Sequence, residues 1–310
     1  MAADSHLGLF LPTSVVVCGD GATTDLLVTS LPNWKEANMH IEAPRELIME
    51  LTRNYEGDRF PDGRPRVADD LLERLKPIST EEAWGVLRRN GYNLQFEGNW
   101  MEIHPGRILI GRAVTAMMLP HRPDLHDLVE EQGKADGRIG GQNSWVIDTL
   151  ENGDVMVVDM FGKVKDGTFI GDNLGTSVKT RTNAGAVLDC GIRDQRGLSH
   201  LDNVAFFCRG FHPSAIKDVT LAGINIPIRI GEATVLPGDV ILGTPTGVTF
   251  IPAHLVQNVV ERGEDIMRRD EFGHLRLRQN RYTPGEIDRA WPPEIEEDFQ
   301  AWLAAGKPED

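Results

Sequence analysis

Two acidic residues and one arginine stand at a spacing that could bring them to one site. Asp172 opens a stretch with helical character, and after twenty more residues the pair Arg193-Asp194 follows an apolar strand. This order can gather both carboxylates, the guanidinium and the amides of Asn173 and Leu174 around one space. Carboxylate oxygens suit a hard divalent cation that keeps part of its water shell. A cation, an arginine fork and free amides together suit a 2-oxo acid.

The same residues also fit a purely structural interpretation. Asp172 is well placed to cap a helix, and Arg193-Asp194 could be an ion pair at the end of a strand. Glycines flank each acidic element and permit close approach of a ligand to the backbone, although ordinary loop chemistry also explains them. These glycines are Gly162, Gly167, Gly171, Gly175, Gly185 and Gly191. The sequence leaves both interpretations open.

Other chemically capable side chains stand in weaker patterns. Arg209 fits a second clamp for an anion. His121 and His126 match no standard metal-binding spacing, so a solvated loop is favoured for them. Cys190 has no histidine at a spacing that supports a nucleophile, and we expect a small buried thiol there. For His212, which precedes a proline, a turn is favoured.

Composition narrows the class of protein. The 310 residues are 40% hydrophobic and 25% charged, an ordinary globular balance, and the formal net charge is −15. An acidic surface argues against nucleic-acid and anionic-membrane partners, so we expect a small-molecule substrate. Three dispersed cysteines form neither a disulfide framework nor a zinc motif. Because no Lys or Arg precedes Lys35, we expect no secretory signal and a cytoplasmic protein.

Local patterns predict three regions: an N-terminal arm over 1–66, a core over 67–266 and a charged, helical tail over 267–310. In the core, the capping box Ser79–Glu82 predicts a helix that ends at Gly91. Apolar runs predict the strands 107–118, 155–159, 186–189, 204–208 and 224–230, and a strand over 240–242 that follows a turn at 236–239. Further helices are predicted near 44–54, over 67–75, from Pro252 to about 269 and over 293–305. The order lacks the strict alternation of a doubly wound sheet.

The stretch from Gly171 to Asp194, with Arg209-Gly210 and Pro213, resembles a known superfamily. It contains the regulator of ribonuclease activity A and the 4-hydroxy-4-methyl-2-oxoglutarate / 4-carboxy-4-hydroxy-2-oxoadipate aldolases. Weaker likenesses extend over about 67–266. The resemblance implies an α/β fold with a swivelling β/β/α sandwich core, here with N- and C-terminal extensions. It also implies a homo-oligomer, a trimer or a pair of trimers, with sites between subunits.

The resemblance assigns roles to the residues that match. It implies a divalent cation, Mg²⁺ or Mn²⁺, with Asp194 as the direct metal ligand and Asp172 as the carboxylate that holds metal-bound water. Arg193 matches the residue that grips the 2-oxo acid, and the amides of Asn173 and Leu174 lie near the substrate carboxylate. Arg209 is an additional substrate-binding residue on our interpretation of the sequence.

Three departures distinguish this chain from the family pattern. The aldolases usually carry an acid three residues after the Asp of Arg-Asp, where this chain has Gly197. The closing unit over 243–248 lacks its usual acid, and both arms are extra. We expect a metal-dependent lyase, an aldolase or decarboxylase, that acts on a 2-oxo acid through a pyruvate enolate. The alternatives are a non-catalytic regulator that binds a protein, and a metal-dependent dehydratase or hydrolase of a sugar acid.

Overall fold

The computed structural model describes residues 40–308, so the first 39 residues of the predicted arm and the last two of the tail lie outside it. The helices of this part are α1 Arg45–Leu51, α2 Asp69–Leu75, α3 Thr80–Arg89, α4 Pro123–Ala135, α5 Gln142–Asp148, α6 Asp172–Thr182, α7 Gln195–Leu198, α8 Val256–Arg278, α9 Pro284–Ile287 and α10 Pro293–Ala304. The strands are β1 Phe96–Glu97, β2 Met101–Glu102, β3 Leu109–Pro120, β4 Asp154–Ile170, β5 Gly185–Ile192, β6 Ala205–Phe211, β7 Val219–Ile224, β8 Ile228–Ile230, β9 Ala233–Val235, β10 Val240–Thr244 and β11 Gly247–Ile251.

One mixed sheet organises the fold. Its strands follow the order β1-β11-β10-β3-β4-β5-β6-β2, and β7 pairs with β3 off this path. The central strands β3, β4, β5 and β6 run parallel, whereas β1, β2, β7, β10 and β11 pair antiparallel to their neighbours. A separate hairpin joins β8 to β9. The mixed α/β class expected from the sequence is confirmed.

Helices and the β8–β9 hairpin bury both faces of the sheet. Apolar side chains of α4, α5 and α6 pack on one face of the parallel strands. The hairpin packs on the other face. Helices α2, α3 and α8 cover the end formed by β10 and β11. Because β4 and β5 are buried throughout most of their length, they form near-continuous apolar runs, as parallel strands do.

Several predicted elements are confirmed in position, with bounds that differ by up to three residues, and three others differ by more. The Ser79 capping box is present, with Ser79 Oγ accepting from the Glu82 amide over 3.1 Å. The strand predicted over 224–230 is two strands, because Asn225 takes a positive φ of 56° between them. The strand predicted over 155–159 extends to Ile170, and the helix predicted to end near 269 extends to Arg278.

The tail forms a small core of its own. Phe299 and Trp302 of α10 are buried with Phe272 of α8, and Leu303 packs at the edge of this cluster. The helix predicted over 293–305 is therefore present, and it packs on α8. No helix within 40–308 combines the length and the apolar character that a membrane span requires.

A buried ion pair ties the segment ahead of α2 to the sheet. Arg64 is 1% exposed and Asp154, at the start of β4, is fully buried. Nη1 of Arg64 donates to Oδ1 of Asp154 over 2.7 Å, and its Nε donates to Asp62 over 2.6 Å. Burial raises the pKa of Asp154, and the Arg64 guanidinium opposes that rise. Part of the predicted arm thus packs on the sheet, while the boundary at residue 66 stays a prediction.

Replacing Arg64 with methionine is expected to lower the free energy of unfolding by about 3–5 kcal/mol, because it leaves the Asp154 carboxylate buried and unpaired. Urea denaturation measures the change. The double variant Arg64→Met/Asp154→Leu should recover part of the loss, since it also removes the orphaned charge. Arg53→Met is the control: it breaks an ion pair with Glu50 whose side chains are 73% and 70% exposed. Equal losses in the two single variants would contradict the role of Arg64.

The turn ahead of β10 repeats the turn ahead of β4 with one difference. In each, the carboxylate of a Gly-Asp pair accepts a backbone N–H from three residues earlier, over 2.8 Å at Asp154 and over 2.8 Å at Asp239. Asp154 has the Arg64 cation beside it, whereas no cationic side chain pairs with Asp239 in the part of the chain described. Burial raises the pKa of Asp239 to about 7.

Asp239 should therefore make stability depend on pH. Its pKa in the folded protein lies above the ordinary value, so its contribution is complete below about pH 4 and is lost as the pH rises through about 7. We expect Asp239→Asn to remove this loss, so that the free energy of unfolding of the variant gains roughly 2–3 kcal/mol relative to wild type between pH 5 and pH 8. Urea denaturation at a series of pH values measures the difference, and a difference that does not vary with pH would refute the assignment.

Candidate functional site

The C-terminal ends of β4 and β5 carry the residues that the sequence singles out. The register pairs Ile170 with Ile192, and the backbone N–H of Arg193 donates to the Ile170 carbonyl over 3.1 Å. At this edge β4 leads through Gly171 into α6, and β5 leads into Arg193. Neighbouring parallel strands end at the same edge of a sheet, which is where ligands bind in open α/β sheets.

Gly171 lets the two strand ends approach each other. It is the N-cap residue of α6, with an extended backbone. A methyl group on Gly171 would overlap Oδ2 of Asp194 and would lie 2.9 Å from Nε of Arg193. The chain at Asp172 therefore starts directly beside Arg193-Asp194. The structure thus brings together the three ionisable residues that the spacing in the sequence suggested.

Asp172 is the first residue of α6, and Gly171, not Asp172, is the N-cap. The prediction that Asp172 caps the helix is therefore wrong, because the cap lies one residue earlier. The exposed Asp172 carboxylate instead accepts from the amide of the next residue, with Oδ1 lying 2.8 Å from N of Asn173. Negative charge is favoured at a helix N-terminus, where the peptide dipoles converge. An anion bound at Asn173 and Leu174 would compete with Asp172 for the first of these two amides.

Arg193 and Asp194 are half exposed and loosely paired. Their side chains are 43% and 44% exposed, with Nε of Arg193 lying 3.4 Å from Oδ2 of Asp194. Within residues 40–308, Asp194 is the one carboxylate that pairs with this guanidinium, which leaves most of its N–H groups open to a ligand. Asp194 has φ 55° and ψ 38°, a left-handed conformation that costs energy in residues other than glycine. Such backbone strain is concentrated at functional sites.

The short helix α7 closes the other side of this space. A methyl group on Gly197 would lie 2.8 Å from Cβ and 3.0 Å from Oδ2 of Asp172. The side chain of Leu198 is fully buried and fills the space left by Gly175 on α6. From the sequence, Gly197 is only a missing acid. Its contact with Asp172 was not predicted, because it depends on how α7 packs against α6.

The donor set of this site fits a hard divalent cation. Asp172 and Asp194 offer carboxylate oxygens, and no soft ligand stands among the residues described around them. Within 40–308 no group of three or more His, Cys, Asp or Glu side chains is arranged to hold a metal. Two carboxylates would leave most coordination positions to water and substrate, which is the arrangement that Mg²⁺ favours.

Arg209 does not join this constellation. Its Nε donates to Asp189 over 2.6 Å, its Nη2 to Glu97 over 2.8 Å and its Nη1 to the Gly98 carbonyl over 2.9 Å. The guanidinium also stacks on Trp100, with 3.8 Å between Cζ and the ring centroid. Because its donors are already engaged, this geometry does not support Arg209 as an anion clamp, and we leave it out of the proposed site.

The surroundings of the other candidates, the histidines and Cys190, favour a structural role over a place in this site. His126 lies in α4, not in the expected loop, and its ring centroid is 4.7 Å from that of His121, beside a cavity of about 320 Å³. Cys190 is fully buried, as expected, and burial raises the pKa of its thiol. His212 shares a short hydrogen-bonded turn with Ser214, with 2.9 Å between Nδ1 and Oγ. None of these side chains reaches Asp172 through a hydrogen bond in the described residues.

Replacing Gly197 with alanine is expected to destabilise the protein by about 1–3 kcal/mol, because the added methyl group collides with Asp172. Helix propensity alone would predict a gain, since alanine favours helices over glycine by about 1 kcal/mol. Urea denaturation separates the two. The control is Gly285→Ala in α9, where an added methyl group meets no atom within 4 Å. If the Gly197→Ala variant were more stable than wild type, the close approach of Gly197 to Asp172 would be contradicted.

Two curated proteins are similar to this chain in sequence. A protein of Halalkalibacterium halodurans named "Putative 4-hydroxy-4-methyl-2-oxoglutarate aldolase" is 38% identical over 128 residues, which is 41% of this chain and 60% of that protein. Protein DlpA of Legionella pneumophila is 27% identical over 245 residues, 77% of this chain and 35% of that protein. The chain thus spans less than two thirds of the length of either relative.

Two solved structures share the fold. The Streptomyces coelicolor protein RraAS2, described as an unusual member of the RNase ES inhibitor RraA protein family, has a TM-score of 0.58 and 25% identity, covering 68% of this chain and 98% of that chain. An uncharacterized protein of Pseudomonas syringae has a TM-score of 0.59 and 20% identity, covering 75% of this chain and 99% of that chain. The resemblance in fold confirms the expected core type, with the terminal segments extra.

A family model matches most of the core. The family model described as RraA-like, Aldolase/RraA, matches residues 66–250. This range holds β3 to β10 and the whole constellation of Asp172, Arg193 and Asp194. Because the match takes in more than half of the sequence, the chain belongs to the RraA-like (Aldolase/RraA) family.

Proposed function

We propose that this protein is a divalent-metal-dependent carbon–carbon lyase that acts on a 2-oxo acid. The proposal rests on the close approach of Gly171, the N-cap residue of α6, to Arg193 and Asp194, because this approach starts Asp172 directly beside an open guanidinium and a second carboxylate. Hard oxygen ligands, a planar cation and backbone amides are the groups that a 2-oxo acid and its metal require. Cleavage of the C3–C4 bond leaves a pyruvate enolate, whether C4 departs as the carbonyl product of an aldol cleavage or as the CO2 of oxaloacetate.

Asp194 and Asp172 would hold Mg²⁺ or Mn²⁺, Asp194 directly and Asp172 through water. Bound there, the cation would act as a Lewis acid toward the oxygens of the 2-oxo acid. Both carboxylates are exposed, and neither is held by a bidentate arginine among the described contacts. They are therefore available to a cation without the loss of a strong ion pair.

Arg193 would grip the substrate through its planar fork, which lysine cannot reproduce. Negative charge builds on the keto oxygen as the C3–C4 bond breaks, and a guanidinium already in place stabilises that charge. A preorganised donor of this kind lowers the barrier by about 3–4 kcal/mol. Before the substrate carboxylate can reach the amides of Asn173 and Leu174, Asp172 must release the amide of Asn173. The released carboxylate would then order a water that takes the proton of the 4-hydroxyl group in an aldol cleavage and gives a proton to C3 of the enolate.

The same proposal includes self-assembly. A trimer or a pair of trimers, with each site between subunits, is what the family resemblance implies. The exposed position of Asp172 and Arg193 at one edge of the sheet is compatible with a site that a second copy encloses. Light scattering on the purified chain measures the assembly.

The proposal is tested by assaying the purified protein with Mg²⁺ on oxaloacetate and on branched 2-oxo acids such as 4-hydroxy-4-methyl-2-oxoglutarate, with pyruvate as the detected product. Asp194→Asn should lower kcat/KM at least roughly 100-fold, because the amide replaces a charged ligand. The control is Asp202→Asn in the loop after α7, where the carboxylate is 76% exposed. Equal activity of Asp194→Asn and wild type would discard the assignment.

The alternatives give different results when this assay is combined with thermal unfolding in the presence and absence of Mg²⁺. A dehydratase or hydrolase of a sugar acid would be stabilised by Mg²⁺ yet release no pyruvate from any 2-oxo acid. A non-catalytic regulator would show neither turnover nor stabilisation by the cation. The retained pair Asp172 and Asp194 supports the enzyme over the regulator, since a protein-binding surface alone would not require two carboxylates around an open guanidinium.

A further inference from the structure

The segment that leads into β3 contacts the end of helix α7 and the loop that follows it. His104 lies in this segment and is 6% exposed. Its Nε2 lies 3.0 Å from the carbonyl oxygen of Leu198, the last residue of α7. Three residues later, Nη1 of Arg107 donates to the carbonyls of Leu201 and Val204 over 2.9 and 3.1 Å. The two side chains therefore fix the end of α7 and the loop that follows it.

The chemistry of the contact defines the state of His104. A carbonyl oxygen can only accept a hydrogen bond, so Nε2 carries the proton and donates it. Burial lowers the pKa of His104, and the nearby Arg107 guanidinium lowers it further, which favours the neutral ring. Nδ1 is buried and has no hydrogen-bond partner in the described residues. An aliphatic side chain would fill this space without a buried unpaired nitrogen, so the bond to Leu198 is what the histidine adds.

Leu198 connects this contact to the site. Its N–H donates to the carbonyl of Asp194 over 3.1 Å, and its side chain fills the space beside Gly175 of α6. The residue before it, Gly197, lies so close to Asp172 that an added methyl group would be 2.8 Å from Cβ of Asp172. A shift of Leu198 would therefore move both carboxylates relative to each other.

We propose that His104 is a positioning residue, which holds Leu198 so that Asp172 and Asp194 converge on one cation; this inference rests on the proposed function. His104 does not touch the ligand or the carboxylates. It acts through α7, much as residues behind a metal site orient the ligands in front of it. The sequence pattern does not single out His104. Its contact with Leu198 joins positions 94 residues apart, and only the tertiary structure shows it.

The test compares His104→Leu with His104→Gln in the full chain. Leucine removes the donor, whereas the glutamine amide nitrogen can reach the place of Nε2 and donate to Leu198. The affinity for Mn²⁺, measured by electron paramagnetic resonance, should fall about 10- to 100-fold in His104→Leu and recover in His104→Gln. Amide hydrogen exchange of the peptide 195–203 should be faster in His104→Leu than in wild type, and slow again in His104→Gln.

The control is His254→Leu, which removes a partly buried histidine that pairs with Tyr92 over 3.2 Å. Its affinity for Mn²⁺ should equal that of wild type. The proposal is overturned if His104→Leu binds Mn²⁺ as wild type does, or if His254→Leu loses as much affinity. It is also overturned if exchange in 195–203 is unchanged.

Failure of the proposed function gives a separate result. If the wild-type protein binds no Mn²⁺, the metal-dependent function fails, and the exchange of 195–203 alone decides the role of His104. Faster exchange in His104→Leu, reversed by glutamine, would then still support the hold on α7. Unchanged exchange would overturn it.

Discussion

The site depends on one constraint: β4 and β5 lose their regular pairing and then pair again at their C-terminal ends. The two strands pair regularly up to Asp159 and Asp189, and three shifts of register follow. Eleven residues of β4 then span the distance that three residues of β5 cover, yet Ile170 pairs again with Ile192. Without this return, Gly171 and Asp194 would end at different levels of the sheet. The bond from Arg193 to the Ile170 carbonyl closes the arrangement.

Glycine makes the arrangement compact. Gly171 admits Asp194, Gly175 admits Leu198 and Gly197 admits Asp172, each through a contact that a methyl group would prevent. The three segments can approach because small residues face each other where they cross. A larger residue at any one of these positions would push the carboxylates apart while leaving their identity unchanged. The geometry of the site is therefore encoded as much by these glycines as by its charged residues.

Local signals in the sequence predict much of this fold. The capping box at Ser79 and the spacing from Asp172 to Asp194 rest on neighbouring residues, because one helix and one buried strand fill that interval. Contacts between distant residues are not predictable in this way. The guanidinium of Arg209 pairs with Asp189 and Glu97 and stacks on Trp100, and only the tertiary structure shows that these residues surround it. The left-handed Asn225 that divides one predicted strand into two also follows from pairing partners far along the chain.

The ion pair of Arg64 with Asp154 bears on where an independent folding unit can start. The family match begins at residue 66, two residues beyond the arginine that neutralises a fully buried carboxylate of β4. A fragment cut at that point would keep the shared segment of the family and lose the counterion of its own sheet. The segment shared with the family is thus shorter than the segment that folds with all its buried charges paired. A fragment trimmed to the shared segment would bury the Asp154 carboxylate without its counterion.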